Sequence, residues 1–263
     1  MKYVLVTGAR GGMGTATTKM LAKNGYHVIA LDRQEFEPTE GVTSVTCDVT
    51  DERSVIDAFS KVKEITDSLH AVIHYAGVYM LDSLIEISAE EFEKIFKINL
   101  FGVYLVNKTF LPLLKSGSRI LITTSELAPL DPLPFTGIYA VSKAALDKYA
   151  YSLRMELQLM DVAVSVLRAG AVNTGMLNVS TTALDKFCQS TRVYSVSSTR
   201  FKSIVGRVEA RNITPERLAK KAIKIIGKRH PRFAYAINRN PLLLLLNALP
   251  KRLQLFIIKK ILK

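Results

Sequence analysis

The sequence predicts an α/β domain built on a doubly wound parallel sheet, and three observations carry that expectation. Short apolar runs rich in Val and Ile alternate with helix-length amphipathic stretches. A glycine-rich turn joins the first apolar run to the first helical stretch. The 263 residues are 48% hydrophobic and 22% charged, enough to bury one large core and too apolar for a disordered chain. Near-continuous apolar strands suit a sheet covered on both faces, and strand–helix alternation at this spacing calls for right-handed crossovers.

Strands are expected at residues 3–7, 27–31, 42–47, 71–75, 119–123 and 162–167, with a further one at 232–237. The helical stretches between them cover 12–24, 51–67, 88–115, 137–160 and 214–228. Asp51 is placed to cap the second, and Ser88 with Glu91 three residues on forms a capping-box pattern for the third. Pro112 should end or kink that third helix. Residues 175–213 break the rhythm: rich in Ser and Thr, without a clear period, they read as a long irregular connection serving as a substrate lid. No linker divides residues 1–240, and 241–263 form a separate tail.

Thr7-Gly8-Ala9-Arg10-Gly11-Gly12-Met13-Gly14 follows the first strand and opens the first helix. Glycines there allow a tight turn and close approach of a pyrophosphate, and the helix start offers free N–H groups and a positive dipole end. Asp32 closes the second strand, where a carboxylate meets the adenosine ribose hydroxyls and repels a 2′-phosphate, which argues for NAD(H) over NADP(H). Arg10 and Arg33 can each reach a 2′-phosphate, so NADP(H) stays open. Asp48, after the third strand, is placed either to meet the adenine or to cap its own loop.

Tyr139 and Lys143 stand four residues apart on a predicted helix, hence on one face. A phenol works as an acid–base near neutrality only if a nearby cation stabilises its phenolate, which Lys143 can supply. Ser125 at the end of the fifth strand and Asn99 in the preceding helix add weight to the pair. His70 and His74, on a buried strand, read as packing residues.

With these residues in view, the chain resembles the short-chain dehydrogenase/reductase family over roughly residues 1–240. The segment 7–14 matches the family's T-G-x-x-x-G-x-G element, Asn99-Leu100-Phe101-Gly102 its N-x-x-G, and Tyr139/Lys143 its Y-x-x-x-K. The resemblance implies a seven-stranded Rossmann sheet, a homodimer or homotetramer, and hydride transfer between a nicotinamide and a secondary alcohol or ketone. It implies Tyr139 as acid–base, Ser125 on the substrate oxygen, Lys143 on the phenol and ribose, and Asn99 holding a proton-relay water. It also places Val49, Ala76, Gly77, Gly170, Val172 and Thr174 along the cofactor, and no metal in the site. The sequence departs from the family at His74-Tyr75-Ala76-Gly77, where N-N-A-G is usual, and at Ala169, where Pro precedes Gly170. Ser125 lies 14 residues before Tyr139, one more than is commonest, which leaves Thr124 as an alternative.

The net charge of +13 is unevenly held. Residues 192–263 carry 18 basic and two acidic side chains, a balance of +16, while the rest carry 18 basic and 21 acidic, a balance of −3. In the tail, Arg252, Lys259 and Lys263 share one helical face, opposite Leu253, Ile257 and Ile261 on one side and Leu255, Ile258 and Leu262 on the other, with Phe256 misplaced near the basic face. This pattern suits either an anionic membrane surface or packing on the body or a second subunit. No apolar run reaches membrane-spanning length, and no aromatic-interleaved basic motif points to nucleic acid. Two cysteines and an opening that runs straight into a strand give the expectation of a reducing, cytoplasmic setting, peripheral to a membrane. The expected substrate is a lipophilic alcohol or ketone of hydroxysteroid or retinol type. A carrier-bound 3-oxoacyl chain is the alternative, and a non-catalytic NAD(P)-sensing regulator the alternative of another class.

Overall fold

Side chains alternate across each strand, so apolar strands such as Lys2–Thr7 give a sheet with two faces to cover. The computed structural model describes the backbone of residues 1–263 and the side chains of residues 1–175, 182–208 and 210–263. The strands are β1 (Lys2–Thr7), β2 (Tyr26–Asp32), β3 (Val42–Thr46), β4 (Leu69–His74), β5 (Leu114–Ser125), β6 (Ala163–Ala169) and β7 (Ala234–Ile237). Among the described residues they form one parallel seven-stranded sheet in the order β3-β2-β1-β4-β5-β6-β7. Val4 and Val6 of β1 pack under α1 (Gly12–Lys23) and α8 (Pro215–Ile226), with Leu21, Leu218 and Ile225 as partners. Leu5 faces the other way, toward α2 (Glu52–Ile65), α4 (Gly102–Phe110) and α5 (Gly137–Leu157), where Val62, Phe110 and Leu146 are buried. The strand order reverses between β1 and β4, so the loops at the carboxyl ends of these strands open a crevice for a ligand.

The capping reading holds at atomic level: the Asp51 carboxylate accepts the Arg53 N–H at 3.0 Å, and the Ser88 hydroxyl accepts the Glu91 N–H at 3.2 Å. The third predicted helix, however, is not continuous. It divides into α3 (Ala89–Phe96), a π-helical turn Lys97–Phe101 and α4, then a short 3₁₀ turn at Leu111–Leu113, and β5 begins at Leu114. Pro112 lies in the 3₁₀ turn, where its ring and missing N–H end the helix. The π turn has its own cause, described with the site below.

Residues 175–213, expected to be irregular, contain α6 (Gly175–Ser190) and α7 (Ser195–Glu209). Ser and Thr are weak helix formers, so local pattern misses these helices and long-range burial supplies their stability. Leu184, Phe187 and Phe201 close a small cluster with Leu81 and Phe135. Phe135 adopts a left-handed φ of 63° and packs its ring on Phe187, Tyr194 and Phe201. The side chains of 176–181, within the predicted lid, lie outside those described.

The tail forms α9 (Pro241–Ala248) and α10 (Lys251–Leu262), separated because Pro250 pushes Leu249 into extended backbone. It packs on the body: α10 crosses α7, and Leu262 is buried in the lid cluster with Ile258 against it. Lys251 pairs with Asp131, and Asn247 Oδ1 accepts the Asp131 N–H at 2.8 Å. The apolar stripe at 258 and 262 is therefore spent inside the molecule. Outward face Arg252, Lys259, Lys260 and Lys263, with Phe256 61% exposed among them. No helix among the described residues is long and apolar enough to cross a membrane.

His74 and Tyr75 brace the sheet in place of the family's usual asparagines. The Tyr75 hydroxyl accepts from Thr17 Oγ1 of α1 at 2.9 Å, and His74 Nε2–H donates to Asn107 Oδ1 of α4 at 2.9 Å. Burial pulls the His74 pKa down to about 4 against the opposing effect of that bond. Between pH 6.5 and 4 the unfolded chain therefore takes up a proton that the folded chain refuses, and stability falls as the solution is acidified. The loss is on the order of 3 kcal/mol for this shift. His74→Gln, which keeps a donor toward Asn107, should flatten the decline of the urea midpoint between pH 6.5 and 4. His70, also depressed by burial, will leave part of the slope in place. An unaltered slope would contradict the assignment.

Candidate active site

Two connected cavities lie at the carboxyl ends of the strands. A cleft of about 880 Å³ runs over the ends of β1–β4, and a smaller pocket of about 180 Å³ lies beside it over β5 and β6. Met13, Gly77 and Thr174 line both, so the cavities share a wall.

In the cleft, the turn after β1 approaches its neighbours as closely as a backbone can. Gly8 has φ +64°, and a Cβ there would lie 2.6 Å from Ala76 N. A Cβ on Gly14 would lie 2.1 Å from the Gly8 carbonyl oxygen, and one on Gly12 would meet Thr174 at 2.7 Å. These positions accept only glycine without displacement, and they leave the start of α1 open toward the cleft. Asp32 stands beside this turn: Oδ2 accepts the Arg10 N–H at 3.0 Å and Oδ1 the Gln34 N–H at 3.4 Å. The Arg10 guanidinium donates to the Glu35 carbonyl at 3.1 Å, and Arg33 is exposed at the same rim. Burial would raise the Asp48 carboxyl, but bonds from the Thr50 N–H (2.9 Å) and hydroxyl (2.7 Å) hold it below its usual range. Asp48 thus caps its own loop while lining the cleft with Val49 and Ala76. A long cleft with a glycine-only cradle at one helix start and a carboxylate beside it fits a dinucleotide.

In the pocket, Ser125 ends β5, and Tyr139 and Lys143 lie in the first turns of α5. Ser125 and Tyr139 line the pocket together, the Ser125 hydroxyl drawing the phenol pKa down, and the Tyr139 ring meets Tyr79 edge-on at 4.6 Å. Thr124 turns away, donating to Asp147 Oδ1 at 3.3 Å, and Asp147 in turn pairs with Arg168 at 2.7 Å. The geometry thus places Ser125, not Thr124, beside the phenol. Burial pushes the Tyr139 pKa up to about 12, opposed by the Ser125 bond and reinforced by the Glu126 charge. Burial also holds Lys143 down to about 8; its Nζ lies 5.9 Å from the Tyr139 ring centre and donates to the Thr123 carbonyl at 3.4 Å. Gly170, Val172 and Thr174 line the same pocket. At Gly170 a Cβ would lie 1.9 Å from the Asn238 carbonyl oxygen, so glycine there serves the crossing of β6 and the chain after β7.

Asn99 lines neither cavity. It is fully buried in the π turn, where its Oδ1 accepts the Val78 N–H at 2.8 Å. Its amide donates to the Val78 carbonyl at 3.0 Å and to Ser142 Oγ at 3.1 Å. The Gly102 N–H reaches back five residues to the Lys97 carbonyl, the extra residue that lets Asn99 face Val78. Its side chain ties the loop after β4 to α5, and its Oδ1 and the Lys143 Nζ both stand over Gly77, where a Cβ would lie 3.1 Å from the one and 3.4 Å from the other. Sequence reasoning missed Glu126, a carboxylate 8% exposed in the pocket next to Ser125. The signal was present: a lone acidic residue in the apolar stretch Ser125-Glu126-Leu127-Ala128-Pro129-Leu130. Over the pocket stand Phe201 and Val205 of α7, within the segment read as a lid, and Leu243 of α9, within the segment read as a tail.

Comparison with known proteins agrees with this geometry. The family model described as short chain dehydrogenase matches residues 2–185. The NADPH-dependent 1-acyldihydroxyacetone phosphate reductase of Schizosaccharomyces pombe is 32% identical over 66% of the chain, which spans 60% of that relative's length. The 3-ketodihydrosphingosine reductase of Bacteroides thetaiotaomicron is 26% identical over 88% of the chain and 86% of the relative. In fold, the chain is similar to the 3-ketoacyl-(acyl-carrier-protein) reductase of Brucella melitensis complexed with NADH. The TM-score is 0.73 at 22% identity, covering 90% of this chain and 96% of that one.

Proposed function

The chain belongs to the short-chain dehydrogenase family, and from that premise we propose that this oxidoreductase interconverts a lipophilic secondary alcohol and its ketone. The observation that carries the reading is the pocket itself. Its floor holds Tyr139, Ser125 and Lys143, and its walls and roof are apolar, formed by Leu127, Leu133, Phe201, Val205 and Leu243. Two relatives named for reductions of lipid ketones support the same class.

A nicotinamide dinucleotide, when bound, takes the carbinol hydride or returns it to a carbonyl carbon, while the hydroxyl proton is left to this chain. Tyr139 takes or gives that proton at its phenol oxygen. Ser125 donates a hydrogen bond to the substrate oxygen where charge develops. Lys143, buried behind the phenol, lowers the cost of the phenolate, and Asn99 holds Val78 and Ser142 so that loop and helix keep their spacing. The glycines of the β1–α1 turn and Asp32 hold the dinucleotide. The Asp32 carboxylate supports NAD(H), since it meets ribose hydroxyls and repels a 2′-phosphate.

A panel of secondary alcohols and ketones of increasing chain length, run with NAD(H) and NADP(H) and read at the nicotinamide absorbance, tests the reading. We expect kcat/KM to rise with apolar length and to be higher with NAD(H). Turnover confined to short polar alcohols would overturn the substrate class, and a preference for NADP(H) would overturn the cofactor assignment. The basic C-terminal quarter supports the second reading, a 3-oxoacyl chain on an acidic carrier, which adding a carrier-bound 3-oxoacyl substrate to the panel distinguishes. The intact Tyr139, Lys143 and Ser125 set speaks against a regulator without turnover.

The outward basic face of α10 supports docking on an anionic membrane, with Phe256 as its apolar contact. Replacing Lys259, Lys260 and Lys263 by Gln in the full chain should weaken binding to phosphatidylserine vesicles by roughly 100-fold at about 1 kcal/mol per residue. Sedimentation with vesicles checks this, and unchanged binding would remove the membrane from the proposal. Self-association is supported by Tyr104 of α4 and by Tyr151 and Met155 of α5, large apolar side chains left exposed.

A further inference from the structure

Glu126 is the pocket group that the chemistry above leaves unused. It follows Ser125 directly, lines the pocket with Tyr139, and is 8% exposed. Its Oε2 accepts the Asn240 N–H at 2.6 Å, at the start of α9. Its Oε1 lies beside Gly170, where a Cβ would come 3.0 Å from it and 1.9 Å from the Asn238 carbonyl oxygen. Among the described residues no ion pair involves Glu126; Arg239, the cation whose charge it senses, is exposed.

A carboxylate in such a place is expensive on two counts. Burial lifts its pKa above the usual range despite the pull of Asn240 and Arg239, and its charge raises the pKa of Tyr139. Both effects oppose formation of a phenolate on a neutral substrate. Holding the Asn240 N–H needs only a neutral acceptor, so tethering the tail does not by itself account for an acid. A cation brought in with the substrate relieves both costs at once, because it neutralises the carboxylate beside the reacting oxygen.

We infer that Glu126 is a specificity-determining residue that binds a protonated amine carried on the carbon next to the reacting one, so that the preferred substrate is a long-chain vicinal amino alcohol or amino ketone. In that reaction the carbinol carbon loses its hydride to the oxidised nicotinamide and its hydroxyl loses a proton to Tyr139, leaving a carbonyl. The ammonium stays on Glu126 unchanged. The inference rests on the lipophilic alcohol reading and narrows it.

The test compares 1-amino-2-octanol with 2-octanol, oxidised by the full chain with NAD and with NADP. The unaltered protein should favour the amino alcohol in kcat/KM by about 100-fold, the scale of a desolvated charge pair. Glu126→Gln keeps an acceptor for Asn240 and should collapse that ratio to within about threefold of unity. Calorimetric titration gives a readout without turnover: octylamine should bind more tightly than 1-octanol, and Glu126→Gln should erase the difference. Turnover of 2-octanol with no preference for the amine, or equal loss on both substrates in the variant, overturns this inference and leaves the broader reading standing. Failure of the unaltered chain to oxidise either alcohol with either cofactor overturns both.

Discussion

Tyr139→Phe should abolish turnover while leaving dinucleotide affinity close to that of the unaltered chain. The substitution removes one oxygen. The phenyl ring keeps its edge-on contact with Tyr79 and its place in the buried cluster with Ile95 and Ile138. What disappears is the pocket hydroxyl on which Ser125 acts and behind whose ring the Lys143 ammonium lies. A proton that must leave the substrate oxygen then loses its positioned acceptor, and the loss of such an acid–base is worth about 10³-fold in rate. The proposed dinucleotide contacts in the β1–α1 turn and at Asp32 do not involve the phenol oxygen, so fluorescence titration with NADH should give nearly the same Kd. Retained turnover would overturn the role of Tyr139. Lost cofactor binding would show instead that the substitution acts through the fold. Ser125→Ala offers a graded comparison at about 10²-fold, since it removes a hydrogen bond to the developing charge and leaves the proton acceptor in place.

How far such a site can be read from sequence depends on how local its causes are. The β1–α1 turn was legible through its glycine spacing, and Gly14 answers to Gly8 and Ala9 a few residues away, although Gly8 itself answers to Tyr75 and Ala76 far along the chain. Tyr139 and Lys143 were legible because one helix face sets their spacing. The strands were legible where both faces of the sheet are covered and the run is apolar throughout, as in β1 and β2. What was not legible depends on residues far apart in the chain. The lid helices α6 and α7 are weak by propensity and exist on the burial of Phe187, Phe201 and Leu262 around Phe135. The π turn at Asn99 is set by the Val78 backbone, 21 residues away. In the tail the helical period was right, and of the readings it left open the structure takes packing on the body. The stripe at 258 and 262 turned toward α7, and the misplaced Phe256 became the exposed aromatic of a basic surface. Glu126 is the sharpest case, because only the fold reveals that this loop carboxylate shares a pocket with the phenol.

Gly14→Ala carries the second large effect, and its origin is steric. The added methyl would lie 2.1 Å from the Gly8 carbonyl oxygen, 2.8 Å from Ala9 Cα and 2.9 Å from the Gly8 carbonyl carbon. All three atoms are backbone, so no rotamer change relieves the contact, and α1 must move away from the end of β1. That movement pulls at two fixed points: Leu21, packed with α8 in the core, and Thr17, bonded to Tyr75. It also displaces the helix start from the place where a pyrophosphate is held. We expect dinucleotide affinity to fall by at least about 100-fold, with a stability loss of about 2–4 kcal/mol, the range for overpacking and strain in a core. Gly12→Ala separates the two effects. Its methyl would meet the Thr174 side chain at 2.7 Å, not backbone, so affinity should fall with a smaller loss of stability. Gly206→Ala in α7, whose methyl meets nothing within 4 Å, is the outer control and should gain about 0.5–1 kcal/mol from helix propensity. Thermal melts with and without NADH would order the three variants. If Gly14→Ala melted and bound cofactor like Gly206→Ala, then the close packing of α1 against the first strand would not be what holds the dinucleotide.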